Sequence, residues 1–169
     1  MFRDFLLGEG LKATVETLRK FLRLPGREQW IALEAATGLA ATRSGLALAG
    51  FRKWRQVLAW LAPAEFWQPD ANKAEIAEQA RALVGLGEAT ARNFPWRTNC
   101  LEQALVFEWL LRRRRIPATL RIGGRKNGDR FEAHAWVELD GVMLSGIDTA
   151  HIHYVPFEER TAALRTEAP

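Results

Sequence analysis

The chain has 169 residues, with 24 Lys and Arg against 20 Asp and Glu, a formal net charge of +4 and a pI near 9.7. That length holds one well-buried core, with room for a helical appendage, and is short for two ordinary domains. The basic residues are interspersed with acidic ones, which reads as solvated surface rather than a nucleic-acid footprint. A single cysteine excludes an internal disulfide and fits a reducing, cytoplasmic compartment.

The first residues, MFRDFLLGEG, carry Asp4 and break at Gly8, unlike a signal peptide. From Glu9 to about Leu24, Leu11, Val15, Leu18 and Leu22 recur at helical spacing until Pro25-Gly26 ends the run. A second helix is expected from Arg27 to near Ala49. Its interior Gly38 and Gly45 each cost roughly 1 kcal/mol relative to alanine, so they point to close helix approach or a kink. Residues 30 to 51 are rich in Ala, Leu and Gly, but Glu34 and Arg43 interrupt them, so a buried or partner-facing helix is expected and no membrane span. A third helix, Phe51 to Ala62, ends at Pro63.

Glu65 to Pro69 reads as a connector between two prolines. The boundary is therefore expected there, with a helical N-terminal subdomain over 1–69 and a second unit over 70–169. Asp70 or Asn72 can cap a helix of about Lys73 to Arg92, whose second half Gly85 and Gly87 weaken.

Pro95, Thr98 and Asn99 are loop and cap residues, and apolar periodicity begins at Leu101, so Cys100 stands where a helix starts. A helix N-terminus presents unpaired N–H groups and the positive end of the macrodipole, which favours a thiolate there. Leu101, Ala104, Leu105, Phe107, Trp109 and Leu111 leave little polar surface, the mark of a central helix. The run Arg112 to Arg115 falls at its C-terminus, where cations offset the negative end of the dipole and supply donors to the last carbonyls. After Ile116-Pro117 come a strand from Ala118 to Gly124, a hairpin turn at Asn127-Gly128, and a strand from Phe131 to Leu139. A turn at Asp140-Gly141 and a strand from Val142 to Ile147 follow. Helix followed by antiparallel meander is an α+β arrangement.

A cysteine nucleophile needs a base to take its proton and a third group to orient that base. In RFEAHAWVEL the odd positions are apolar, so His134 projects from the face opposite the aliphatic stripe with Glu132, Trp136 and Glu138. A turn at Asp140-Gly141 pairs Leu139 with Val142 and brings Asp148 beside His134 at the strand end. Asp140, at the tip of the turn, is roughly 20 Å from His134 at about 3.3 Å per residue. Asp148 is therefore the expected third member. Asn99 and Gln103 are candidate oxyanion donors, though Asn99 also serves as an N-cap, and Trp96 and Trp136 either pack or wall a substrate cleft. His151 and His153 are alternative bases or a weak metal pair, but no carboxylate or thiol stands at ligand spacing, so no metal or other cofactor is expected. A lone cysteine is also commonly a small buried hydrophobe, which leaves a non-catalytic binding module open.

The run TNCLEQALVFEWLLRRRRIPATLRIGGRK followed by FEAHAWVELDGVMLSG closely resembles the transglutaminase-like cysteine peptidase of lasso-peptide biosynthesis, the leader-cleaving half of the split maturation B protein. The likeness covers about residues 95 to 148. It implies a papain-like or transglutaminase-like core over 70–169, with Cys100 as nucleophile, His134 as base and a downstream aspartate as the orienting group. Relatives often carry that aspartate closer to the histidine, where this chain has Ser145 and Gly146. The reaction implied is removal of the leader from a precursor peptide, before an ATP-dependent cyclase closes the macrolactam. The implied partners are the precursor leader, a separate leader-recognition protein and that cyclase. Another acyl transfer on the same scaffold is the alternative chemistry.

Overall fold

A computed structural model of the chain describes residues 16–62, 72–145 and 154–157. Residues 16–23 are helical (α1), and Pro25 leads into α2, Gly26–Trp60. At Gly50 the backbone leaves the helix with φ 74°, a conformation that favours glycine. This break separates the two helices expected on either side of it. Beyond it Trp54 folds back, its indole N–H donating to the buried Thr42 hydroxyl at 3.1 Å. The ring lies so close over Gly45 that no side chain would fit there. Gly38 likewise faces Val106 at 3.1 Å from where a Cβ would stand, so both interior glycines mark close approach.

Helix α3, Lys73–Arg92, begins at Asn72, whose side chain accepts the Ala74 N–H at 3.1 Å. It runs unbroken through Gly85 and Gly87, and Gly87 makes room for the ring of Phe107. Helix α4, Cys100–Arg113, is buried along most of its surface and contacts α2, α3 and two strands. Its arginine-rich end is tied inward: Arg113 and Arg114 reach Glu34 of α2 at 3.2 and 2.6 Å, and Arg114 donates to the Leu110 carbonyl. Two of the four arginines thus satisfy a half-buried carboxylate and a helix end.

Strands β1 (Thr119–Asn127), β2 (Arg130–Leu139), β3 (Val142–Met143) and β4 (Val155–Pro156) form an antiparallel sheet in the order β3-β2-β1-β4. The β1-β2 turn occupies Gly128-Asp129, one residue later than expected, with positive φ at Gly128 only. That pattern suits a type II′ turn, which asks for glycine at its first central position. Asp140 and Gly141 both have positive φ, and Leu139 pairs with Val142 as the two-residue turn requires. Strand β3 stops far short of Ile147. After Leu144 bonds to Val137, the hydroxyl of Ser145 rather than a backbone carbonyl takes the Val137 N–H, at 3.1 Å. Strand β4, on the other side of β1, was not foreseen: it is two residues long and contains a proline.

Ile31, Ala35 and Leu39 of α2, Leu83 and Val84 of α3, Leu105 to Phe107 of α4, and Leu120, Ala135, Val137 and Leu139 of the sheet belong to one buried cluster. Each such Leu, Ile, Val or Phe side chain contributes roughly 1.5–3 kcal/mol by leaving water. The expected boundary segment, Glu65 to Pro69, lies outside the described residues. Among the described residues, no helix is long and apolar enough to cross a membrane. The fold is α+β, a central helix packed on an antiparallel sheet.

Candidate active site

Cys100 is the first residue of α4. The extended backbone of Asn99 lets its side-chain oxygen accept the Glu102 N–H at 2.8 Å, while the Glu102 carboxylate accepts the Asn99 N–H at 3.1 Å. This reciprocal cap was legible as Asn-x-x-Glu, although only its Asn99 half was anticipated. The Gln103 N–H closes the first turn on the Asn99 carbonyl at 3.1 Å. The amides of Cys100 and Leu101 remain first-turn donors without an intrahelical acceptor. Cys100 itself is half-buried, packed against the core cluster. The side chain of Gln103 donates to the Thr98 hydroxyl at 2.8 Å, which engages the amide that was a candidate oxyanion donor.

His134 lies in the middle of β2, opposite Gly123 of β1. Its alternate neighbours Ala135, Val137 and Leu139 enter the aliphatic cluster, whereas His134 is half-buried among aromatic rings. The imidazole is nearly parallel to the indole of Trp136, 10° apart with centroids at 6.0 Å, and 5.2 Å from the ring of Tyr154. Trp136, expected at a cleft wall or in packing, is 1% exposed and donates its N–H to Glu138 at 2.7 Å. It therefore backs His134 rather than meeting a substrate directly. Trp96 packs edge-on against Phe94 with centroids 4.5 Å apart, and Arg43 lies over its ring.

The same face carries a charge cluster. Glu132 accepts from Arg125 at 2.7 Å, Asn127 at 3.0 Å and the Tyr154 hydroxyl at 3.3 Å. The Asn127 hydrogen bond first, and then Arg125, hold the Glu132 carboxyl below the usual carboxylate range, and Glu132 raises Arg125 in turn. Among the described residues, no group of three or more His, Cys, Asp and Glu side chains is arranged to hold a metal ion.

The expected residues thus gather in two places: Asn99, Cys100 and Gln103 open α4, and His134 and Trp136 share the face of β2 opposite the aliphatic cluster to which α4 belongs. Asp148, His151 and His153 lie outside the described residues. Asp140 stands exposed at the tip of its turn. Tyr154 was missed, and the available signal was slight, namely that it is the single tyrosine of the chain.

A family model described as the transglutaminase-like superfamily matches residues 45–158, a span that takes in α3, α4 and all four strands. The chain belongs to the transglutaminase-like superfamily. No curated protein and no solved structure matches it. Transglutaminase-like proteins are usually cysteine peptidases or acyltransferases.

Proposed function

We propose that the protein is a cysteine peptidase that removes the leader from a lasso-peptide precursor before macrolactam cyclisation. The observation that carries this reading is Cys100 as first residue of the buried central helix of a transglutaminase-like fold. Cys100 is the nucleophile, His134 the base, and Asp148 the group that orients the imidazole. The sulfur attacks the scissile carbonyl, and His134 passes its proton to the departing amine. Water then hydrolyses the thioester, and the oxyanion of each step is held by the unpaired amides at the start of α4. The reading requires the sulfur and the imidazole to come within hydrogen-bond reach of each other.

The chain works in the cytoplasm with three partners: the precursor leader, a separate leader-recognition protein that presents it, and the ATP-dependent cyclase that uses the product. The N-terminal helices over 1–69 supply part of the partner surface, and 70–169 the peptidase unit. Mass spectrometry of a precursor peptide tests the reading. Cys100→Ala and His134→Ala are each expected to lower cleavage at least about a thousandfold with an unchanged circular-dichroism spectrum. Cleavage that persists in either variant overturns it. Family membership also favours acyl transfer to an amine, and a product heavier by an amine adduct would identify that reaction instead.

A further inference from the structure

Trp136 leads the fully buried side chains in size, yet it stands outside the aliphatic cluster. Its burial comes from the His134 face. A Cβ on Gly123 would lie 2.7 Å from the indole and 2.5 Å from the Val155 carbonyl, so the ring and strand β4 close over that glycine. The indole is held at its polar end as well. Its N–H goes to one oxygen of Glu138 at 2.7 Å, and the other oxygen accepts from Arg121 at 3.0 Å. A buried indole needs one acceptor; here the acceptor is itself fixed by an arginine. Tyr154 completes a triangle of rings, 5.2 Å from His134 and 6.4 Å from Trp136, with its hydroxyl on Glu132.

We propose that Trp136 and Tyr154 are positioning residues that hold the His134 imidazole in one orientation, with Glu138 and Glu132 as their anchors. This rests on the reading of His134 as the base. The two nitrogens of an imidazole differ in role, and turning the ring over exchanges them. A nearly parallel indole on one side and a tilted phenol on another resist that turn. The carboxylates of Glu132 and Glu138 fix the polar ends of these rings, accepting from Tyr154 and Trp136, and are themselves held by Asn127, Arg125 and Arg121.

The test uses the full chain and iodoacetamide, which reports on Cys100 because the chain has one cysteine. The ratio of the alkylation rate at pH 6 to that at pH 9 measures how far an imidazolium supports the thiolate. Glu138→Ala is expected to lower that ratio about tenfold, as displacing the titration midpoint by one pH unit would, and to move the His134 Hε1 resonance. Glu138→Gln keeps an acceptor for the indole and should restore both. A folded Glu138→Ala with the wild-type ratio and an unmoved resonance overturns the proposal. Tyr154→Ala, on the half-exposed side of the cluster, is read in the same way should Glu138→Ala fail to fold. A His134→Gln protein with the wild-type ratio would instead mean that His134 is not the base. Loss in His134→Gln beside unchanged Glu138→Ala and Tyr154→Ala defeats the positioning role alone.

Discussion

The two faces of β2 are held by different forces. On one, Ala135, Val137 and Leu139 join Leu120 in the buried cluster shared with the helices, where contact is non-directional and what counts is filled volume. On the other, Glu132, His134, Trp136 and Glu138 are fixed by named donors and by ring planes. The first face supplies stability that many apolar side chains could supply. The second supplies orientation, which only these groups at these angles provide, and catalysis depends on orientation far more than stability does.

The contrast can be broken most forcefully from the aliphatic side. Leu120→Ala empties a site that is 3% exposed and is expected to cost about 2–5 kcal/mol in chemical denaturation. The iodoacetamide pH ratio of the folded fraction should stay as it was; a changed ratio would mean that the faces are not separable. Gly123→Ala comes next, since its methyl group would meet both Trp136 and the Val155 carbonyl. Overpacking of this kind costs about 1–3 kcal/mol. Here the ratio should fall, together with faster amide exchange in β4. Stability lost without a change in the ratio would detach the rings from the chemistry.

Acid gives the smallest effect. The folded state holds Glu132 below its ordinary titration range, chiefly through Asn127 and then Arg125. Its contribution is therefore present above the unfolded carboxyl pKa, about 4.3, and is lost as pH falls through the lower folded value. Compared with Glu132→Gln, the wild type should melt slightly higher near neutral pH, with the gap closing below about pH 4. A gap that widens on acidification would contradict the assignment. Glu132 is partly exposed, so solvent screening keeps the effect small.

Much of the fold could be read along the chain. The ends of α3, the start of α4, the break between Ala49 and Phe51 and the Asp140-Gly141 turn all emerged where caps, glycines and prolines put them. The misreadings lie in the sheet. The first hairpin slipped by one residue because Asn127-Gly128 and Gly128-Asp129 are both good turn pairs, and pairing between strands chooses the register. Strand β3 was drawn too long because nothing local says that Ser145 will use its side chain on Val137.

Of the candidate site, Cys100, Asn99 and the outward turn of His134 were decided by residues within a few positions. Helix capping and strand alternation are short-range, each satisfied inside one turn or one pleat. The company His134 keeps was decided by the tertiary structure alone. Tyr154 comes from 20 residues further along and Arg121 and Arg125 from the neighbouring strand. Whether such side chains meet depends on strand order and sheet register, which follow from packing the whole core and leave no mark in the chain nearby.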